Sequence, residues 1–139
     1  RMAILSGTEE VSSSMPSSQD AAELTKLAAI GAISGARIEG PLGFDNAISA
    51  EAAKIKGIAG QVCGNADILL VPNLESGNFL FKQMVYFMSA TAAGLVLGAK
   101  VPIILTSRAD PLEARLASCA LSSIFIDYCA QTPERALAV

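Results

Sequence analysis

Short runs of aliphatic and β-branched residues alternate in this chain with segments that have the length and spacing of helices. The strand-like runs fall at residues 2–6, 36–39, 67–71 and 101–105. Helical spacing of apolar residues fills most of the intervals between them. That alternation limits the chain to the α/β class, with helices on both faces of a sheet in a three-layer α/β/α domain. Its 139 residues are one domain's worth, so residues 1–139 are read as a single domain with a sizeable core.

Residues 8–16 form a polar, Ser-rich loop. Ser17 is a suitable N-cap with Asp20 three residues later, so a helix is expected over 18–34, with Ala21, Leu24, Leu27, Ala28 and Ile30 near helical spacing. Gly40-Pro41 ends the second strand, and Asp45 can cap a helix over 46–56. The glycines at 57, 60 and 64 make a loop and no dinucleotide fingerprint, because their spacing is wrong and no strand leads in. Residues 67–71 read as a buried strand stopped by Pro72-Asn73. At Ser76-Gly77-Asn78 a strand gives way to a helix; the backbone N–H groups there can face an anion, or Ser76 can simply cap the helix.

The next helix, over 79–97, is apolar on most faces and must be covered on two sides, one by the sheet, while the other could be a second subunit. Residues 101–105 read as a buried strand. Thr106-Ser107-Arg108 follow, and then a helix start in which Asp110 caps, Pro111 takes the first position and Glu113 the third. The helix runs over 112–129, amphipathic through Leu116, Ala120, Leu121, Ile124 and Tyr128. Thr132-Pro133 ends it before a short tail. Ser-Arg at the carboxyl end of a strand above a helix N-terminus makes an anion site or, more blandly, a polar turn with a solvated arginine. Glu39, at the carboxyl end of its strand, faces the same kind of cleft.

Composition narrows the chemistry. Apolar residues make up 52% and charged ones 17%, so the chain is expected to bury surface against a partner as well as within itself. A net charge of −3 without a Lys/Arg cluster argues against nucleic acid. There is no histidine, which removes Ser-His and Cys-His nucleophile pairs and His-containing metal sites. Cys63, Cys119 and Cys129 fit neither a disulfide framework nor a zinc motif, and a reducing cytoplasm is the natural compartment. All three are read as buried thiols, Cys119 and Cys129 above all, on an apolar helix. The charge-free run over 83–99 is too short and too rich in Gly, Ala and Ser for a membrane span.

Four blocks carry a family resemblance: EGPLGFDNAISAEAAKIKG, NADILLVPNLESGNFLFKQM, GLVLGAKVPIILTSR and LTSRADPLEARLASCALS. In this order and spacing, over about residues 2–124, they resemble the phosphate acetyl/butyryltransferase family. The resemblance implies the isocitrate/isopropylmalate dehydrogenase-like architecture. The chain would be the C-terminal half of a two-domain enzyme, which fits its opening at Arg1 without an initiator Met. It further implies acyl transfer between coenzyme A and phosphate, with no tightly bound cofactor, no metal and a homodimer joined through this domain.

Residue by residue, Ser107 and Arg108 match the family's Ser-Arg pair. Ser107 would hydrogen-bond the thiol sulfur or the reacting centre, and Arg108 would bind phosphate. The family's acid/base carboxylate falls at or beside Ala114, which leaves Glu113 as the nearest acid and Asp110 as the other candidate. Gly77, Asn78, Glu39, Asp45 and Thr106 are the expected substrate-binding positions, and the loop over 57–65 would lie near substrate. Two departures stand out. Gly43 sits where relatives often carry Gln, and Ser-Arg-Ala-Asp replaces the Ser-Arg-Gly usual in acetyl-specific members, as in the butyryl branch.

A binding module for CoA or a nucleotide, without transferase activity, is the alternative. An oxidoreductase of the same fold is weaker, since no aspartate cluster has metal-ligand spacing. Because further arginines are expected on an N-terminal half, the chain by itself is predicted to be inactive or nearly so. Phosphate-dependent release of CoA thiol by the isolated chain would overturn that.

Overall fold

Strand β1 (Met2–Leu5) buries Ala3, Ile4 and Leu5 in succession, so both of its faces are covered. The computed structural model describes residues 1–131, and the chain divides into two compact units, Arg1–Leu80 and Phe81–Val139. The expected stop at Thr132-Pro133 and the tail beyond it lie outside the described residues.

In the first unit β1 is the middle strand of a parallel sheet ordered β2-β1-β3, with β2 at Ile38–Leu42 and β3 at Ile68–Leu70. Parallel neighbours need crossovers, and helices supply them: α1 (Pro16–Ala29) between β1 and β2, then α2 (Phe44–Ile48) and α3 (Ala50–Ile55) before β3. Ala3 and Leu5 join a core with Leu42, Ala47, Ala53, Val62 and Cys63. Ile4, on the opposite face, packs beside Gly40 and Ala21 of α1. Alternate β1 residues therefore meet α1 on one side and α2–α3 on the other, so the expected α/β class with a helix-covered sheet holds here.

Several boundaries differ from the sequence expectation. Helix α1 starts at Pro16 with Met15 as N-cap and no side-chain cap, so Ser17 does not cap it. Pro16 presets the first-turn backbone, while the buried Ser18 hydroxyl donates to the Met15 carbonyl at 2.8 Å and accepts the Ser12 N–H at 2.9 Å. The helix stops at Ala29 instead of continuing to 34, and Gly31 adopts φ 79° just beyond it. Gly40-Pro41, joined by a cis peptide, lies inside β2 instead of ending it. The register passes from Ala3↔Glu39 to Leu5↔Leu42, a bulge that accommodates a residue without an N–H.

The single helix expected over 46–56 is two helices. Ser49 breaks them at φ −118°, ψ 114°, and its hydroxyl caps α3 by accepting the Ala52 N–H at 3.2 Å. Asp45 lies in the first turn of α2, behind the N-cap Gly43. Strand β3 is not buried throughout: Ile68 and Leu70 are exposed at the sheet's edge and Leu69 packs on the core.

Helix α4 (Leu74–Phe87) spans the division between the units. It ends ten residues before the expected 97, and Ser89 follows at φ 53°. Leu95–Val96 instead form β4, paired antiparallel with β5 (Ile103–Ile104) around a turn in which Gly98 has φ 87°. Cross-strand pairing outcompeted the helical period there.

Both β5 residues are exposed, contrary to the expected buried strand. Helix α5 (Leu112–Gln131) buries Ala114, Ser118 and Ser122, while Leu116, Leu121 and Ile124 are exposed. The small stripe wins because the Ser118 hydroxyl donates to the Ala114 carbonyl at 2.7 Å and accepts the Gly94 N–H at 3.0 Å, fixing that face on the hairpin. The cysteines are likewise redistributed. Cys63 is buried, Cys119 is exposed and Cys129 is half-buried.

A Cβ on Gly40 would stand 2.8 Å from both the Cβ and the carbonyl oxygen of Ile4. Gly40→Ala is therefore predicted to destabilise the fold by about 1–3 kcal/mol, the usual range for overpacking. A denaturant midpoint equal to wild type would contradict the tight α1–β2–β1 contact.

Candidate functional site

In the second unit, residues 107–110 form a turn closed twice. The Asp110 N–H donates to the Ser107 carbonyl at 3.1 Å, and the Ser107 N–H donates to Asp110 Oδ2 at 2.6 Å. Asp110 thus caps its own turn and makes no capping box with Glu113. Arg108 and Ala109 occupy the corner and are exposed, Ser107 is exposed, and Thr106 is half-buried. Among the described residues Arg108 has no ion-pair partner, so its guanidinium is available to an anion.

The Asp110 side chain is only 11% exposed, and its Oδ1 faces Lys82 Nζ of α4 at 4.0 Å. Lys82 also stands over the Phe81 and Tyr86 rings, 5.3 and 5.9 Å from their centroids. Asp110 and Glu113 line one cavity of about 260 Å³ with Pro111, Ala114, Val85 and residues 89–92. Two carboxylates of different standing therefore share that cavity: Asp110 is engaged, whereas Glu113 is exposed. Ser107, Asp110 and Glu113 are brought to one turn-and-helix junction, as the sequence led one to expect.

The remaining candidates lie in the first unit. At the start of α4, Asn73 is the cap, because its Oδ1 accepts both the Ser76 N–H and the Ser76 hydroxyl at 2.8 Å. The Gly77 N–H goes to the Asn73 carbonyl at 3.2 Å. Ser76 is not the cap, the Ser76 and Gly77 N–H groups proposed to face an anion are already bonded, and Asn78 lies within α4 with its side chain exposed.

Glu39 accepts the Gln61 and Val62 N–H groups at 2.8 and 3.1 Å, so its carboxylate holds the loop over 57–65. Gly60 is needed for that approach, since a Cβ there would run into the Glu39 carboxylate. Burial, and then the Glu39 charge, push the Cys63 thiol up from its ordinary pKa.

Asp45 belongs to a second cluster. Lys56 Nζ donates to Glu9 Oε1 at 2.7 Å and to Asp45 Oδ1 at 3.0 Å, and Asn46 Nδ2 also donates to Glu9. These hydrogen bonds to Lys56 hold both carboxyl groups below the usual carboxylate range. The same two bonds, Glu9 first, raise the Lys56 ammonium. Asn46 is fully buried, and its Oδ1 has no hydrogen-bond partner among the described residues. A Cβ at Gly43 would lie 2.8 Å from Glu9 Oε1 and 2.9 Å from Asp45 Oδ1, so the cluster fills the space a larger residue would take.

Sequence reasoning missed Lys82, Glu9, Lys56 and Asn73. Asn73 had a signal, its three-residue offset to Ser76 after a proline. The others had none, because their partners lie 28, 47 or 11 positions away and meet only through folding. Among the described residues no group of His, Cys, Asp and Glu could hold a metal ion, and no helix is long and apolar enough to cross a membrane.

Comparison with known proteins bears on most of the chain. The family model described as "Phosphate acetyl/butaryl transferase" matches residues 1–122. A phosphate acetyltransferase of Rickettsia felis is 56% identical over 92% of the chain, which covers 37% of that protein. A phosphate butyryltransferase of Clostridium beijerinckii is 47% identical over 89% of the chain and 41% of its own length. The crystal structure of a branched-chain phosphotransacylase from Enterococcus faecalis V583 superposes with a TM-score of 0.78 at 39% identity, covering 88% of this chain and 44% of that one. The chain thus spans less than half the length of these relatives.

The Glu9–Lys56–Asp45 cluster predicts a pH dependence. Lowered carboxyl pKa values stabilise the fold above the unfolded carboxylate range, and that gain is lost as pH falls through the lowered folded values. The raised Lys56 value keeps its contribution until strongly alkaline pH. Lys56→Met should therefore lower the thermal midpoint at about pH 7, with the difference from wild type shrinking as acid titrates the carboxylates below about pH 4. An equal deficit at both pH values would count against the ion cluster.

Proposed function

The chain belongs to the phosphate acetyl/butyryltransferase family, and from that premise we propose that it forms the C-terminal part of a longer, two-domain enzyme moving a short acyl group between coenzyme A and inorganic phosphate. The reaction is acyl-CoA + phosphate ⇌ acyl phosphate + CoA. A phosphate oxygen attacks the thioester carbonyl, a tetrahedral oxyanion forms, and the thiolate leaves and takes up a proton. Such a transfer needs an anion pocket, donors for the oxyanion and a group that manages the thiol proton.

The observation that carries this reading is the doubly closed turn over 107–110, which presents Ser107 together with an Arg108 guanidinium that has no ion-pair partner among the described residues. Arg108 binds phosphate and steadies the developing charge, and its planar fork suits an oxyanion. Ser107 donates its hydroxyl to the sulfur or the reacting centre. Glu113, exposed at the rim of the cavity below the turn, handles the thiol proton, while Asp110 holds the turn. Glu39 and Asp45 support the first unit's loops, and Thr106 lines substrate beside Ser107.

The wider architecture follows the isocitrate/isopropylmalate dehydrogenase-like plan, supported by the helix-covered parallel sheet and the superposition on a phosphotransacylase. Exposed apolar residues on α5, among them Leu116, Ile124 and Ile126, support a homodimer through this part of the chain. The compartment is cytoplasmic, in keeping with three cysteines that form no disulfide. The second reading is a CoA-binding module without transferase activity, and it is favoured by Ala114 at the position where the family carries its carboxylate.

The test is phosphate-dependent release of CoA thiol from acetyl- and butyryl-CoA by the full-length protein and its Arg108→Ala variant. Turnover in the parent and a fall of about a hundredfold or more in the variant are expected, as when oxyanion stabilisation is lost. No release by the folded parent with either substrate leaves the binding module.

A further inference from the structure

The second unit contains a charged group that the acyltransferase reading does not use. Lys82 projects from α4 toward a carboxylate with only 11% of its side chain exposed, and its Nζ lies 4.0 Å from Asp110 Oδ1. Among the described residues, Lys82 is the only cation in ion-pair range of Asp110. The other oxygen, Oδ2, is spent on the Ser107 N–H at 2.6 Å. The Phe81 and Tyr86 rings, 5.3 and 5.9 Å from Nζ, restrict where the ammonium can sit.

We propose that Lys82 is a positioning residue that keeps Asp110 oriented, and through it sets the geometry of the Ser107–Arg108 turn. The proposal rests on the acyltransferase reading of that turn. A carboxylate so covered keeps its place only with a partner; without one it swings toward solvent or shifts within the turn. Either change weakens the acceptor for the Ser107 N–H, one of the two bonds closing the turn. Ser107 and Arg108 sit at the corner those bonds define, so loosening them displaces the hydroxyl and guanidinium together. Lys82 itself touches no reacting atom.

The experiment compares full-length wild type, Lys82→Met, Lys82→Arg, Asp110→Asn and the Lys82→Met/Asp110→Asn double variant in the thiol-release assay, with thermal midpoints as a check on folding. Lys82→Met should lower kcat about ten- to a hundredfold, the scale of a small misplacement of reacting groups. KM for phosphate should change less than about threefold. Lys82→Arg should restore most of kcat, and the double variant should be no worse than the poorer single one, because both act through the same bond.

A Lys82→Met enzyme with wild-type kcat overturns the proposal. So does a rise in KM for phosphate with kcat kept, which would make Lys82 a direct phosphate ligand, and so do losses that simply multiply in the double variant. If the methionine variant fails to fold, the arginine variant decides, and a tenfold loss of kcat there also overturns it. Absence of turnover in wild type would instead defeat the acyltransferase reading, so the two failures are distinguishable.

Discussion

Strand β1 has no face to spare, and the first unit is arranged to satisfy it. Three consecutive buried residues require cover above and below, while its backbone needs a parallel neighbour on each edge. Helix α1 and the α2–α3 pair provide the cover, and β2 and β3 the hydrogen bonds. Gly40 is held to no side chain by the approach of Ile4, and the bulge beside it leaves Glu39 able to take the two N–H groups of the loop over 57–65. The packing demand of one short strand thus reaches, through its paired strand, the Glu39 carboxylate and the loop it holds.

The second unit solves a different problem. Its antiparallel hairpin is short, and α5 meets it with a stripe of small residues instead of large apolar ones. Ser118 bridges helix and hairpin by bonding both the Ala114 carbonyl and the Gly94 N–H. Close approach of that kind favours small side chains and turns the bulky residues of α5 outward. The same unit places a well-covered site carboxylate, Asp110, between a turn N–H and an ammonium. A covered carboxylate in that position needs both partners, so the turn and α4 constrain each other.

The two polar clusters of the first unit show how site candidates divide once folded. Asp45 and Glu39 were both candidates because they follow a strand or open a helix. Folding gives Asp45 a lysine shared with Glu9, and gives Glu39 a loop backbone to hold. Neither partner is near in sequence, so chain position alone could not separate a structural carboxylate from a ligand-facing one. Gly43 is a related case: the place of a missing side chain is taken by Glu9, which lies 34 residues earlier in the chain.

What the sequence by itself determined is local. The α/β class, the β1 strand, the helix beginning after Pro111 and the Ser107–Arg108 turn all follow from propensities and spacing within a few residues, and four contiguous motifs carry the family. Tertiary structure decided the rest. It turned residues 95–96 from helix to strand by offering β5 as a partner, split 46–56 at Ser49, and left Cys63 buried while exposing Cys119 on α5. It also set the company each carboxylate keeps. The physical reason is that intrinsic preferences are worth a fraction of a kcal/mol per residue. A strand partner, a covered face or a counter-charge is worth more, and comes from residues distant in the chain.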